Sequence, residues 1–378
     1  EVVTNPGVHA IKDICVGDYV KTHDGSYRKV TKKWSYDVEE NLVNITAVGL
    51  PKKLELTGCH EVYAIRTKKC VYDNMYNVRC KSICTRTDCG HQYYEHYSPE
   101  WIRADQVKVG DLLMYPIDRD VIDVKTITLS KHAKQGKTKG KGSGNAWQLV
   151  DNRWNRGRLK FINDKPELTD GFLRLAGYYI SDGHIGEKLK LSIVFGLNQN
   201  DYVEDVKNIA KSLGLESYVG VTEQAIVVTT ACRPLCEWLI GEFGKGAWNK
   251  KAPLWIMRLP VEKQRQFLIG LWRGDGCVSG SLVRYTTVNR ELAAQIQDLL
   301  LRDGVHANYQ WGKAAKSYSV FARVKRRRFL DWDMPNDGPN VPNQIWSDSR
   351  YSYHRVKNVG RVPYTGIVMD LTVEGNHS

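Results

Sequence analysis

No uninterrupted apolar run in this sequence approaches the roughly 18 residues of a membrane-spanning helix. The first residues, Glu1-Val2-Val3-Thr4-Asn5-Pro6-Gly7, carry neither the basic nor the apolar block of a secretory signal. Neither a membrane partner nor export is expected. Cysteine is scarce and odd in number, nine in 378 residues, which excludes a disulfide framework. The expected compartment is reducing and intracellular, the cytoplasm or nucleoid. Acidic residues are in deficit, 42 Asp and Glu against 55 Lys and Arg, leaving a net charge of +13. Such a chain suits a polyanion, DNA or RNA before an acidic membrane. What is present is ample core material, 42% hydrophobic residues, enough for two or three domains at roughly 150 residues each.

Residues 1–130 read as short strands broken by turns. Val16-Gly17-Asp18-Tyr19-Val20 is followed by a turn at Asp24-Gly25 and by Arg28-Lys29-Val30-Thr31, with further alternation at 42–45 and 54–56. The phrase returns as Val109-Gly110-Asp111-Leu112-Leu113, preceded by Ile102-Arg103-Ala104 as Ile11-Lys12-Asp13 precedes the first copy, a weak internal repeat. At 131–160 the composition changes. Lys131, Lys134, Lys137, Lys139 and Lys141 alternate with Gly136, Gly140, Gly142 and Gly144, which predicts a flexible basic linker.

From 161 to 344 helical periodicity near 168–182, 201–213, 232–243, 261–275 and 290–302 is separated by strand-like alternation. The same order occurs twice. Leu175-Ala176-Gly177 to Asp182-Gly183 leads through a strand and a helix to Leu213-Gly214, and Leu268-Ile269-Gly270 to Asp275-Gly276 leads likewise to Asp303-Gly304. The tail 345–378 returns to β-type sequence. The predicted fold is an α+β domain of two pseudo-two-fold αββαββα repeats, inserted into an all-β domain formed by 1–130 and 345–378.

The two helices of the repeat carry the chemistry. Gly177 and Ser181 lie four apart in one, Gly270 and Gly274 in the other, so each helix has a small-residue face that permits close packing. Asp182 and Asp275 would then emerge at the same end, with Gly183 and Gly276 as left-handed helix terminators. Two carboxylates beside two helix C-termini concentrate negative charge, which a hard divalent cation such as Mg²⁺ would neutralise. The reaction implied is metal-assisted phosphodiester hydrolysis. A lone Asp-Gly merely punctuates a helix; two in register within a repeat point to a site.

Leu175-Ala176-Gly177-Tyr178-Tyr179-Ile180-Ser181-Asp182-Gly183 and Leu268-Ile269-Gly270-Leu271-Trp272-Arg273-Gly274-Asp275-Gly276 resemble the two motif copies of LAGLIDADG homing endonucleases. Aromatic and basic residues replace the motif's inner aliphatics at Tyr178, Tyr179, Trp272 and Arg273. The resemblance implies that Asp182 and Asp275 are the catalytic Mg²⁺ ligands, with backbone oxygens of Gly183 and Gly276 beside them, each half cutting one strand of double-stranded DNA. It also implies a monomer, since both halves lie in one chain. The segment 244–253 resembles the family's lysine-before-proline stretch and gives Lys250 a catalytic role; in the second half the choice lies between Lys325 and Lys316.

Lys188-Leu189-Lys190-Leu191-Ser192-Ile193 and Phe321-Ala322-Arg323-Val324-Lys325 alternate polar and apolar residues. Strands there would face leucine inward and present Lys188, Lys190, Arg323 and Lys325, with Arg284, as a basic surface following the major groove. Arg153, Arg156 and Arg158 add phosphate contacts.

In the β region, Leu56-Thr57-Gly58-Cys59-His60-Glu61-Val62-Tyr63, with 101–113 and 368–377, resembles the Hint-type splicing domain of inteins. The resemblance implies that Thr57 and His60 polarise and protonate an amide at an N-terminal splice junction, with His377 at the C-terminal one. Splicing also needs a nucleophile at one junction and an asparagine at the other; the sequence starts at Glu1 and stops at Ser378, so it is expected not to splice. The alternative is a splicing element whose nuclease has degenerated to DNA binding. Between these segments, 66–98 holds Cys70, Cys80, Cys84, Cys89, His91 and His96. The run Cys80-x3-Cys84-x4-Cys89-x-His91, with Cys70 as an alternative ligand, fits loose structural Zn²⁺ spacing in a DNA-contacting lobe. Cys232 and Cys236 lie on one helical face and read as core.

Overall fold

A computed structural model describes residues 2–5, 8–50, 53–67, 98–132, 137–139, 147–151, 160–324, 328–334 and 345–375. The chain divides into two units, one made of Glu1–Arg119 and Pro339–Ser378, the other of Asp120–Gly338.

Among its described residues the first unit is built of β-strands and short 3-10 turns. Its spine is an antiparallel ladder between the strands Tyr27–Ala47 and Tyr351–Val373, running from Val356↔Ala47 to Val373↔Val30 with a register shift near each end. The middle of the ladder is solvated on both faces, and burial returns only at its two ends. Val43, Ile45, Ala47 and Val356 form one small core, while Val30, Val373, Ile14 and Val20 form the other.

The weak sequence repeat is a repeat of geometry. Gly17 and Gly110 take φ of 104° and 102°, which favours glycine. Gly17 N–H donates to Val30 O (2.9 Å) and Val30 N–H to Asp18 O (2.7 Å); Gly110 N–H donates to Val356 O (3.0 Å) and Val356 N–H to Asp111 O (2.8 Å). Asp18 Oδ2 accepts from Cys15 N–H and Asp111 Oδ2 from Lys108 N–H, both at 2.8 Å. Each copy follows a single 3-10 turn, Ile11–Asp13 or Ala104–Gln106.

The second unit carries helices α1 (Asp170–Ile180), α2 (Asn200–Ser212), α3 (Arg233–Phe243), α4 (Leu254–Met257), α5 (Val261–Asp275) and α6 (Arg290–Arg302). Five match the predicted stretches. Local chemistry sets their ends: Thr169 Oγ1 accepts from Phe172 N–H at the start of α1, Asn289 Oδ1 from Glu291 N–H at the start of α6. Gly214 and Gly304, at φ of 72° and 73°, close α2 and α6 in the left-handed conformation.

Each repeat contributes a four-stranded antiparallel sheet of the same order. The first runs Gly183–Ile185, Lys190–Phe195, Ile226–Ala231, Ser217–Val221; the second runs Gly276–Ser279, Leu282–Thr287, Ser317–Arg323, Asn308–Gly312. The apolar face of each packs on the helices, burying Trp238, Trp272, Tyr178, Tyr179, Phe243 and Phe267. No helix among the described residues is long and apolar enough to cross a membrane.

Two expectations need correction here. The stretch 131–160 is not all linker: Lys137–Lys139, Trp147–Asp151 and Lys160–Asn163 pair as a three-stranded antiparallel sheet. The lysine and glycine run concealed a strand-forming Trp147-Gln148-Leu149-Val150. Lys188 is not in a strand either, because the chain turns at Leu189 (φ 48°) and the strand starts at Lys190.

Candidate active site

The small-residue faces of α1 and α5 meet backbone to backbone. A Cβ on Gly177 would lie 2.4 Å from Phe267 O, and one on Gly270 2.2 Å from Arg174 O. One on Gly274 would fall 2.4 Å from Ser181 Cβ and 2.9 Å from Asp182 Oδ2, which places the first motif's carboxylate against the end of the second motif's helix. Ser181 Oγ ties the helices, donating to Leu271 O (3.0 Å) and lying 3.2 Å from the hydroxyl of fully buried Tyr285.

The role assigned to the motif's last glycines is different from that expected. Neither is left-handed: Gly276 has φ −88° and begins a strand, as Gly183 does. Glycine is required because the chain turns back onto its own helix. A Cβ would sit 2.5 Å from Tyr179 Cα in one copy and 2.5 Å from Trp272 O in the other.

Both carboxyls are held above the ordinary carboxylate range. For Asp182 burial dominates, with repulsion from Asp275 adding to it and Lys250 opposing both, and the result is about 6. For Asp275 the surrounding protein raises the carboxyl and Lys250 pulls it down. Lys250, 6% exposed, donates to Tyr179 O (2.6 Å), Ile180 O (3.2 Å) and Gly183 O (2.6 Å), the carbonyls at the C-terminus of α1. Burial lowers its ammonium to about 8, against the pull of Asp275 and Asp182. Its ring neighbour Tyr179, 4.7 Å from Nζ, donates to Gly244 O (2.6 Å) and so ties the lysine's loop to α1. Asn289 Nδ2 holds the Lys250 carbonyl at 2.9 Å from the other repeat.

The aromatic and basic departures in the motifs have a common explanation. Arg273 donates to the Tyr178 hydroxyl (2.9 Å), to Asp205 (2.9 Å) and to Asp331 (2.7 Å), while Arg174 forks onto Asp205 at 2.8 Å and reaches Gln266. Asp205, held low by these guanidiniums, lies at the centre of a half-buried network on α1, α2 and α5.

Asp182, Asp275 and Lys250 are neighbours in the structure, and Tyr285, Ser181 and Asn289 adjoin them. Neither Tyr285, which pairs with Gly276 across a strand, nor Asn289, whose one local signal is its helix-capping position, stands out in the sequence. The oxygen-only donor set, short of negative-charge compensation, fits a hard divalent cation. Among the described residues no group of three or more His, Cys, Asp and Glu is gathered. Lys316 lies in an exposed turn at φ 48°, whereas Lys190, Arg284 and Arg323 are exposed on strands and Lys188 on a turn. In the β unit Thr57 and His60 share one turn, His60 N–H donating to Thr57 O at 3.2 Å. Lys325, Arg153, Arg156, Arg158, Cys70, Cys80, Cys84, Cys89, His91 and His377 lie outside the described residues. Cys232 and Cys236 are buried, as expected of core.

Residues 262–331, comprising α5 and most of the second repeat, match the LAGLIDADG-like domain family. An uncharacterised protein of Methanocaldococcus jannaschii is 27% identical over all of this chain and 48% of its own length. The ATP-dependent DNA helicase Hel308 of Thermococcus kodakarensis is 25% identical over all of this chain and 34% of its own. An iron–sulfur cluster assembly SufBD family protein of Mycobacterium bovis is 25% identical over 88% of this chain and 35% of its own. This chain therefore spans between a third and a half of these relatives. Among solved structures, that of the homing endonuclease I-DmoI in complex with DNA and Mn is similar at 12% identity and a TM-score of 0.34, covering 41% of this chain and 90% of that one.

Proposed function

We propose that the second unit is a site-specific DNA endonuclease making a Mg²⁺-dependent double-strand cut, each repeat serving one strand. The observation that carries this reading is the pair of burial-raised carboxyls, Asp182 and Asp275, at the joined ends of α1 and α5. Asp182 and Asp275, with the backbone oxygen of Gly276, would hold the cation, which supplies activation of water and stabilisation of the leaving oxygen; the Gly183 oxygen, expected beside them, is taken by Lys250 at 2.6 Å. Lys250, at about 8, is poised to exchange a proton near neutrality beside the acids.

For the first unit we infer a Hint-type, intein-derived domain, with Thr57 and His60 in splicing-type positions and 66–98 as a Zn²⁺-binding, DNA-contacting segment. The names of the relatives support an inserted element. A helicase and an iron–sulfur assembly protein share no activity by name, yet each carries a stretch like this chain within a much longer protein. The whole assembly would act as a monomer inside the cell.

The test is cleavage of a library of long DNA sites with Mg²⁺ and with EDTA, followed by sequencing of the ends. Asp182→Asn and Asp275→Asn should abolish double-strand cutting while binding persists with a steep salt dependence. Unchanged cutting by either variant would remove the catalytic assignment.

A further inference from the structure

The strand register separates the outward-facing residues of the two sheets of the nuclease unit, and the two sets differ in chemistry. On the first sheet Lys190, Ser192 and Val194 stand opposite Ala231, Thr229 and Val227, with Tyr218 beyond Thr229 and exposed His184 opposite Ser192 on the other side. Val194 is 40% and Tyr218 61% exposed, and the Ser192 and Thr229 hydroxyls lie 3.1 Å apart. One formal charge, on Lys190, stands in this set. On the second sheet Arg284 stands opposite Phe321, which is opposite Asn308, and Arg323 is displaced by one pleat. Gln310 lies on that face opposite Ser319, together with Cys277, Ser279, Leu282 and Thr286. Arg284 and Arg323 are exposed and have no ion-pair partner among the described residues.

In the major groove these sets select different bases. Arginine pairs bidentately with the guanine O6/N7 edge and asparagine or glutamine with adenine N6/N7, whereas apolar groups meet the thymine methyl and hydroxyls accept either partner. Solvated valine side chains on a DNA-facing sheet cost hydration unless a methyl covers them. Resting on the DNA-cleaving reading above, we propose that the two repeats read chemically unlike half-sites. The sheet of the first repeat meets a thymine-rich half through Val194, Val227 and Tyr218. The sheet of the second meets guanine and adenine edges through Arg284, Arg323, Asn308 and Gln310. Because Arg284 and Arg323 are diagonal neighbours, about 7–8 Å apart at the backbone, the guanines they meet lie within about two base-pair steps of each other.

The experiment is selection of bound sites from a randomised duplex library by the full chain carrying Asp182→Asn, alone and with Arg284→Ala, Arg284→Lys, Arg323→Ala or Val194→Ser. Thermal melting verifies that each variant is folded. Each arginine variant, including Arg284→Lys with its charge intact, should relax guanine preference at one position by about 5- to 150-fold, the range of one bidentate pair. The other half-site should be unchanged. Uracil in place of thymine should weaken binding about four-fold per contacted methyl, the worth of one buried carbon, and only in the half insensitive to the arginines. Equal base preferences in the two halves, uracil neutral throughout, or a uniform loss of affinity without changed preference would each overturn the proposal while leaving DNA cleavage standing. No specific DNA binding at all would overturn both.

Discussion

The ammonium of Lys250 lies 2.6 Å from the carbonyl of Gly183, the residue directly after Asp182, so the lysine is anchored to the backbone of the first acid. Its charge is held on three carbonyls of a helix C-terminus, where the helix dipole favours a cation. Removing it would leave buried acceptors unpaired and the two carboxylates without their nearest positive group. Lys250→Met should destabilise the protein by about 2–4 kcal/mol, measured by chemical denaturation. It should also reduce cleavage by about 100-fold or more, the usual range of one acid–base group.

The acids make stability depend on pH and on metal. A carboxyl raised to about 6 binds more protons folded than unfolded between the ordinary carboxylate value and 6. Metal-free stability therefore falls as pH rises through that window and is level above it. Asp182→Asn should raise the metal-free unfolding free energy at pH 7 by up to about 3 kcal/mol, seen as a higher melting temperature, and Mg²⁺ should stabilise the parent protein more than this variant. A melting temperature of the variant below that of the parent would contradict this account.

Lysine carries the opposite sign. With Lys250 lowered to about 8, the unfolded chain holds the extra proton between about 8 and the ordinary lysine value. Stability should increase with pH across that interval, and the increase should vanish in Lys250→Met. Denaturant midpoints from pH 7.5 to 10 measure it.

Close packing of α1 and α5 leaves no room for a methyl group. Gly177→Ala and Gly270→Ala would each press a Cβ onto backbone oxygen of the other helix, at 2.4 and 2.2 Å. Either should cost about 1–3 kcal/mol or more and displace the acids, abolishing cutting. Gly214→Ala, at a left-handed position with open space around it, should cost only about 1 kcal/mol and leave cutting intact.

Breaking the Arg174, Asp205 and Arg273 network from its acidic side would leave Arg174 without its carboxylate and Arg273 with Asp331 alone. Asp205→Asn should destabilise by about 3–5 kcal/mol. Its effect on DNA affinity per folded molecule should be small, which separates this structural role from that of the exposed arginines.

Much of this was legible in the sequence, and the reasons differ by element. The helices showed through because their 3.6-residue periodicity and caps are local, and the paired acids showed through because a repeat places the same residue twice. Contacts between segments far apart in sequence were not legible. Gly183 and Gly276 were read as left-handed from their position after a helix, yet what excludes a side chain there is the preceding turn of their own helix, a clearance that no local pattern encodes. The strand at Trp147–Asp151 was masked by the lysines and glycines around it, and Lys188 by an alternation that continued through a turn. The departures Tyr178 and Arg273 looked like drift from the motif, although they are one network, visible only once Asp205 arrives from α2.

The ladder of the first unit has a consequence for synthesis. Residues such as Val43 and Arg361 are partners separated by more than three hundred positions in the chain, so a nascent polypeptide emerging from the ribosome cannot form that ladder until more than three hundred further residues have followed its first strand. The repeats of the second unit, whose contacts are far more local, are complete by then and able to fold first. During translation the ladder closes only after both repeats have emerged, and its early strands wait unpaired for their distant mates.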